Sequence, residues 1–156
     1  MLVGNGFDIH KHSNDEKLVL GGITVKGPGF EAHSDGDLIL HSLSDALLGS
    51  KAKKDLGFYF PSDENTPENI SSVEMLNKVL EIIEYEKIII NNIDITVISQ
   101  VINISKISDS IASNIANLLN VDKNFINVKG KSFDNLGVIG EGKASACFAI
   151  VSVKDA

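Results

Sequence analysis

The chain has 156 residues, 43% apolar and 22% charged, enough for a single domain over residues 1–156 with its own core. A net charge of -7, with lysine as the only strongly basic residue type, argues against nucleic acid as a partner, because such proteins carry a basic surface. No run approaches the roughly 18 apolar residues of a membrane helix, and Asn5, Asp8 and His10 break any N-terminal signal-like stretch, so a soluble intracellular protein without a membrane partner is expected.

Residues 2–10 read as a strand, which points Asp8 and His10 to one face. Leu18–Leu20 and Ile23–Val25 flank Gly21-Gly22 as a β-hairpin, and Gly27-Pro28-Gly29 is a loop. The spacing of Leu40, Leu43, Leu47 and Leu48 predicts a helix over 35–49, stopped at Gly49. Asp37, His41 and Asp45 form a polar edge along it. Ser34 is a candidate N-cap, with Asp35 and Asp37 as capping-turn residues. Residues 50–70, including Asn69, read as an irregular loop, a length that is usually functional or mobile.

A second helix is expected over 72–86 and a third over 105–119, each with a spaced aliphatic face. Residues 88–98, 125–129 and 144–153 read as strands, and 134–142 as a glycine-rich loop. The single cysteine, Cys147, lies in an apolar run and reads as buried core. The predicted fold is α+β: a mixed four-stranded sheet plus a small β-hairpin, with helices packed on one face. Alternation is imperfect at 94–97 and 145–148; burial of the sheet's second face in an oligomer would explain it.

Asp8, His10 and His41 come from two rigid elements and supply three legs of a tetrahedral metal site with an open fourth position. A hydrogen-bonded Asp/His cluster without metal is the other reading of that spacing. Despite the acidic balance, a phosphorylated substrate is compatible, since a metal supplies positive charge locally.

The run Gly4-Asn5-Gly6-Phe7-Asp8-Ile9-His10, then His33-Ser34-Asp35-Gly36-Asp37, His41, Asp45-Ala46-Leu47-Leu48-Gly49, Asp55-Leu56-Gly57 and Phe60-Pro61, resembles the 2-C-methyl-D-erythritol 2,4-cyclodiphosphate synthase family. The resemblance continues through Ile93–Thr96, Asn127–Lys129 and Leu136-Gly137. It implies a homotrimer with active sites at subunit interfaces, in a bacterial cytoplasm or, with a preceding transit peptide, a plastid-type organelle. The implied reaction closes 4-diphosphocytidyl-2-C-methyl-D-erythritol 2-phosphate into the cyclic diphosphate and releases CMP. Both reacting phosphates are anionic, so metals that neutralise charge suit the chemistry.

The resemblance assigns zinc to Asp8, His10 and His41, and a second divalent cation, magnesium or manganese, to Asp134. It makes His33 and Ser132 catalytic positions. Asp8, His10, His33, Ser34, Asp55, Gly57, Phe60, Ser62, Asp63, Lys131, Ser132, Phe133 and Asp134 become substrate contacts. A weaker match makes Ser99, Gln100, Val101, Ile102, Asn103, Ile104 and Ser105 the cytidine loop. Backbone N–H groups near His33 and Ser34, at a helix start, favour anions. Asp45 is a candidate to orient a ligand histidine; Asp55 either accepts sugar hydroxyls or closes a turn.

Some segments depart from the family. Val101-Ile102 stands in the loop where the family carries Pro-Lys after Gln, and Lys131-Ser132-Phe133-Asp134 replaces Thr-Thr-Thr-Glu. Val138, Glu141 and Lys143 replace Phe, Arg and Glu around the last glycine loop, where the family binds isoprenoid diphosphates in a central cavity; weakened binding is expected there. Phe7 is either a wall of that cavity or ordinary core. Two alternatives stay open: a phosphohydrolase using water at the same metal, and a trimeric binding protein without turnover.

Overall fold

The computed structural model describes residues 1–68 and 70–156; position 69 of the expected 50–70 loop lies outside them. Strands β1 (Leu2–Leu20), β2 (Ile23–Phe30), β3 (Ile88–Ile98), β4 (Ile126–Lys131) and β5 (Ala144–Asp155) form one five-stranded sheet in the order β2-β1-β5-β3-β4. Among the described residues only β3 and β4 run parallel. The α+β class with a mixed sheet holds, but the hairpin is not separate from a four-stranded sheet. Residues 2–11 of β1 pair with β5 and residues 12–20 with β2. The polar residues around Asp8 and His10 do not end the strand; a register shift between Ser13 and Lys17 bends it onward, as bulges do.

Helices α1 (Leu38–Ser50), α3 (Ser72–Ile82) and α4 (Ser108–Leu119) cover one face, α1 lying across β1 and β5, α3 beside α1, and α4 on β4. Short helices α2 (Leu56–Tyr59) and α5 (Gly137–Gly140) occupy the two expected loops. Beneath the helices, Ile93, Ile95, Val97, Cys147, Ala149, Val151 and Val153 alternate inward against Leu43, Leu47 and Leu76, all buried. Each such large aliphatic side chain contributes about 1.5–3 kcal/mol by leaving water. On the opposite face Val3, Phe7, Ile9, Phe148 and Ile150 are exposed. No helix among the described residues is long and apolar enough to cross a membrane.

The helix boundaries differ from the sequence-based expectation for local reasons. α1 starts at Leu38 because Asp37, not Ser34, caps it, accepting from the N–H groups of Ile39 and Leu40. Asp37 is not on a solvated edge: it is fully buried and also accepts from Gly21 N–H and Gly22 N–H, tying the hairpin turn to the helix start. α3 ends four residues early, where Glu84 turns left-handed with φ +53°. It begins with a capping box, Ser71 and Glu74. α4 begins three residues late, after a 3-10 turn over Ile104–Lys106.

Candidate metal centre and flanking pockets

Glycine sets the distance between β1 and α1. A Cβ on Gly4 would stand 1.9 Å from the Ala46 carbonyl oxygen, and one on Gly6 1.9 Å from that of Ser42. With no side chains there, α1 rests on the backbone of β1. Asp8 and His10 follow Gly4 and Gly6 on the same face, so they rise beside α1 and meet His41.

His10 Nε2 lies 2.9 Å and His41 Nδ1 3.1 Å from Asp8 Oδ2. Donor atoms of the three residues fall within 4.8 Å of one another, close to the separations that a tetrahedral ion with bonds of about 2.0–2.2 Å imposes. The remote ring nitrogens are engaged. His10 Nδ1 sits 3.1 Å from the Gly36 carbonyl oxygen, which can only accept, so Nδ1 carries the proton. His41 Nε2 lies 3.0 Å from Ser72 Oγ and 3.2 Å from Ser34 Oγ. The Ser72 hydroxyl in turn donates to Asp35, whose other oxygen accepts from Ser72 N–H. Those contacts fix both rings so that His10 Nε2 and His41 Nδ1 face Asp8, and an ion bound there would displace the protons they share with the carboxylate. The donor set fits a divalent ion.

Electrostatics agree. Burial raises the Asp8 carboxyl, but hydrogen bonds and charge from His10 and His41 outweigh it and hold the group well below the usual carboxylate range. Burial works against a charged His10, yet Asp8 and the Gly36 carbonyl raise its pKa above 6.5. Without an ion, a proton holds this pair together.

Asp8, His10, His33, Ser34, His41, Gly57, Phe60 and Ser62 line one cavity of about 350 Å³. His33 Nε2 donates to the Thr66 carbonyl oxygen at 2.9 Å. Asp45 lines the cavity too, but it does not orient a histidine: its Oδ1 accepts from Leu56 N–H at 2.7 Å and so anchors the start of α2. Burial, with Asp55 and Asp8 nearby, pushes the Asp45 carboxyl up. The Asp55 carboxylate caps α2 through Phe58 N–H, and Asp63 holds Asn65 N–H. Ser72 and Thr66 were not anticipated as site residues. Ser71-Ser72-Val73-Glu74 carries a capping-box signature that marks the helix start, but nothing local points Ser72 at His41.

Ser99, Gln100, Val101, Ile102, Asn103, Ile104 and Ser105 line a second pocket of about 320 Å³ with Gly130, Lys131 and Ser132. Phe133 N–H donates to Gln100 Oε1 and Gln100 Nε2 to Asn135 Oδ1, joining this loop to the turn that carries Asp134. Asp134 is exposed, accepts from Ser132 Oγ at 3.4 Å and has φ +49°. Within one chain it belongs neither to the metal trio nor to the cavity around it. Strand β5 separates β1, which carries the trio, from β3, which leads into the loop. Phe7 is not core: its ring is 47% exposed and packs on Phe148 at 4.6 Å. Glu141 and Lys143 pair with each other at 2.6 Å on the surface.

The profile of the YgbB family matches residues 1–154. The 2-C-methyl-D-erythritol 2,4-cyclodiphosphate synthase of Petrotoga mobilis is 39% identical over 155 residues, covering 97% of this chain and 95% of that protein. The Haemophilus ducreyi synthase is 40% identical over 149 residues, covering 95% and 93%. Among solved structures, the CDP complex of Plasmodium falciparum IspF matches with a TM-score of 0.85 at 39% identity, over 99% of this chain and 96% of that one. The bifunctional IspDF of Campylobacter jejuni matches with a TM-score of 0.93 at 34% identity, over 99% of this chain and 42% of that longer one.

Proposed function

The chain belongs to the YgbB family, that of the 2-C-methyl-D-erythritol 2,4-cyclodiphosphate synthases, and from that premise we propose how its residues divide the work. As a lyase of isoprenoid biosynthesis, it cyclises 4-diphosphocytidyl-2-C-methyl-D-erythritol 2-phosphate to 2-C-methyl-D-erythritol 2,4-cyclodiphosphate and releases CMP. The new bond joins a 2-phosphate oxygen to the β-phosphorus; the bond from that phosphorus to the CMP oxygen breaks.

One observation carries the assignment of the metal: two histidines whose remote nitrogens are engaged turn their near nitrogens to one carboxylate oxygen, where a divalent ion would take the place of the shared protons. Asp8, His10 and His41 would hold zinc, which when bound polarises a phosphoryl oxygen and offsets anionic charge. A second divalent cation, magnesium or manganese, would be held near Asp134. His33 and Ser34 bind and orient the phosphate end, with His33 fixed by the Thr66 carbonyl. Gly57, Phe60 and Ser62 line the methylerythritol end, with Asp55 and Asp63 shaping its turns. Lys131, Ser132 and Phe133 flank the diphosphate, where Lys131 supplies positive charge. The loop from Ser99 to Ser105 reads cytosine through backbone groups.

This division of labour needs a neighbouring subunit. The metal cavity and the cytidine loop are separate pockets of one chain, and an apolar sheet face is uncovered. A homotrimer of single 1–156 domains, with each active site shared between neighbours, meets both requirements. Relatives from bacteria and from an apicoplast support a bacterial cytoplasm or a plastid-type organelle as the compartment.

The test is CMP release from the cytidine diphosphate substrate, with and without chelator, read together with phosphorus NMR of the product. Chelator-sensitive CMP release with two coupled phosphates in a ring is expected. A linear product would replace cyclisation with hydrolysis, and no CMP release from metal-loaded protein would remove the enzymatic reading.

A further inference from the structure

His12 and Ser145 take no part in the reaction as described, yet with Ser99 at the start of the cytidine loop they form a continuous polar line from β1 to the loop after β3. His12 Nδ1 lies 3.2 Å from the Gly29 carbonyl oxygen and its Nε2 2.8 Å from Ser145 Oγ. The hydroxyls of Ser145 and Ser99 are 2.8 Å apart. Ser99 Oγ accepts from Val101 N–H at 3.3 Å and Ile102 N–H at 3.1 Å, and Ser99 N–H donates to the Lys131 carbonyl oxygen across the second pocket at 3.0 Å. Ser145 is fully buried and Ser99 is buried.

The Gly29 carbonyl can only accept, so His12 Nδ1 donates to it and Nε2 meets the Ser145 hydroxyl. Ser145 Oγ donates to Ser99 Oγ, which also receives the amide N–H groups of Val101 and Ile102. Each polar group in the line thus has a partner. At the other end the His12 ring stacks on Phe30 at 4.7 Å, and Phe30 meets the His10 ring edge-on at 5.7 Å.

We propose that His12, Ser145 and Ser99 are positioning residues that fix the 99–105 loop for nucleotide binding. This rests on the reading of that loop as the cytidine subsite. Three polar groups at a covered place between strands cost desolvation that apolar side chains would not. What this line supplies is a rigid hold on the amides of Val101 and Ile102, in a pocket that reads its ligand largely through backbone groups. Removing one member leaves a buried hydroxyl or ring nitrogen without its partner and frees the turn.

The test is calorimetric titration of CDP into the zinc-loaded protein, with steady-state kinetics on the same samples. Ser145→Ala and His12→Phe are expected to weaken CDP binding about 3- to 10-fold and to raise KM while kcat stays within about twofold, the pattern of lost uniform binding. His12→Gln, whose side-chain amide can donate or accept where Nε2 did, restores most of the affinity. Should Ser145→Ala fold poorly, the His12→Phe and His12→Gln pair carries the same comparison. Variants that bind CDP as the wild type does overturn the positioning role and leave the function intact. A wild type that does not bind CDP overturns the reading of the loop, and the proposal with it.

Discussion

Gly6 lies so close beneath Ser42 that a Cβ built on it would stand 1.9 Å from the Ser42 carbonyl oxygen. This approach brings β1 against α1 and lets His41 reach Asp8. Gly6→Ala therefore must push strand and helix apart, with backbone rather than a flexible side chain in the way. Overpacking of this kind costs about 1–3 kcal/mol or more, expected as a Tm fall of about 3–10 °C for a chain of this length, together with weaker metal retention. Gly49→Ala is the contrast: its Cβ would meet nothing closer than 3.7 Å, and alanine favours the helix, so thermal denaturation should show no loss.

Ser72→Ala is expected to weaken metal binding about 10- to 100-fold, the usual cost of losing an outer-shell partner. Ser72 stands between Asp35 and His41 Nε2, and without it only Ser34 Oγ remains at that nitrogen. Competition against a chromophoric chelator measures the change directly. An unaltered affinity would show that Ser34 alone holds the ring.

The proximity of Asp8, His10 and His41 was legible in the sequence because it follows from two local periods: residues two apart share a strand face, and His41 falls on a patterned helix. The inward strands and the buried Cys147 were legible for the same reason. Partners remote in sequence were not. Asp37 read as a helix edge because Gly21 and Gly22, whose amides it binds, belong to a hairpin that periodicity does not dock. Asp45 read as a partner for histidine because Leu56 N–H lies in a stretch without pattern. The line from His12 to Ser145 joins residues 133 positions apart, and no spacing rule connects them. The fifth strand is hidden for a different reason: the polar residues around Asp8 and His10 read as a strand end, while β1 pairs onward with β2.

Metal affinity should rise with pH. Below its raised pKa, His10 carries a proton that an ion must displace, so affinity grows by up to about tenfold per pH unit through the ordinary histidine value of 6.5 and flattens above the raised one. Metal-free protein shows the opposite trend. The raised His10 value means its pairing with Asp8 stabilises fully below 6.5 and is lost as pH climbs through the folded value. The depressed Asp8 value means the same pairing is present above 3.8 and lost only as pH falls well below it. Thermal melts of the metal-free chain should therefore lose stability as pH rises from 6.5 through the raised His10 value, while chelator competition shows tighter binding over the same range.

Cys147 is expected to be inert in the folded protein. Burial pushes its thiol up to about 12, so at pH 8 only roughly one molecule in 10⁴ carries the reactive thiolate. A thiol-specific chromogenic reagent should report no reaction in native buffer and one equivalent per chain in denaturant. Rapid native labelling would mean that α1 and β5 separate readily.

Phe7 and Phe148 occupy the middle of the sheet face that no helix covers. Their rings touch at 4.6 Å and are 47% and 46% exposed, flanked by Val3, Ile9 and Ile150. A contiguous apolar patch of this kind marks an association surface. The same face also carries the Asp94–Lys129 pair with Asn127, where Lys129 holds the Asp94 carboxyl below its ordinary value; polar groups paired in advance are ready for a covered position. Phe148→Glu places a charge at the centre of the patch without touching the helix-covered core, since residue 148 faces away from it. It should convert the proposed homotrimer to monomers in sedimentation equilibrium while each chain keeps its secondary structure and its metal affinity. If the active site is shared between subunits as proposed, turnover should fall with assembly, because the metal cavity and the 99–105 loop would no longer meet. A Phe148→Glu monomer with full turnover would place both halves of the active site within one chain.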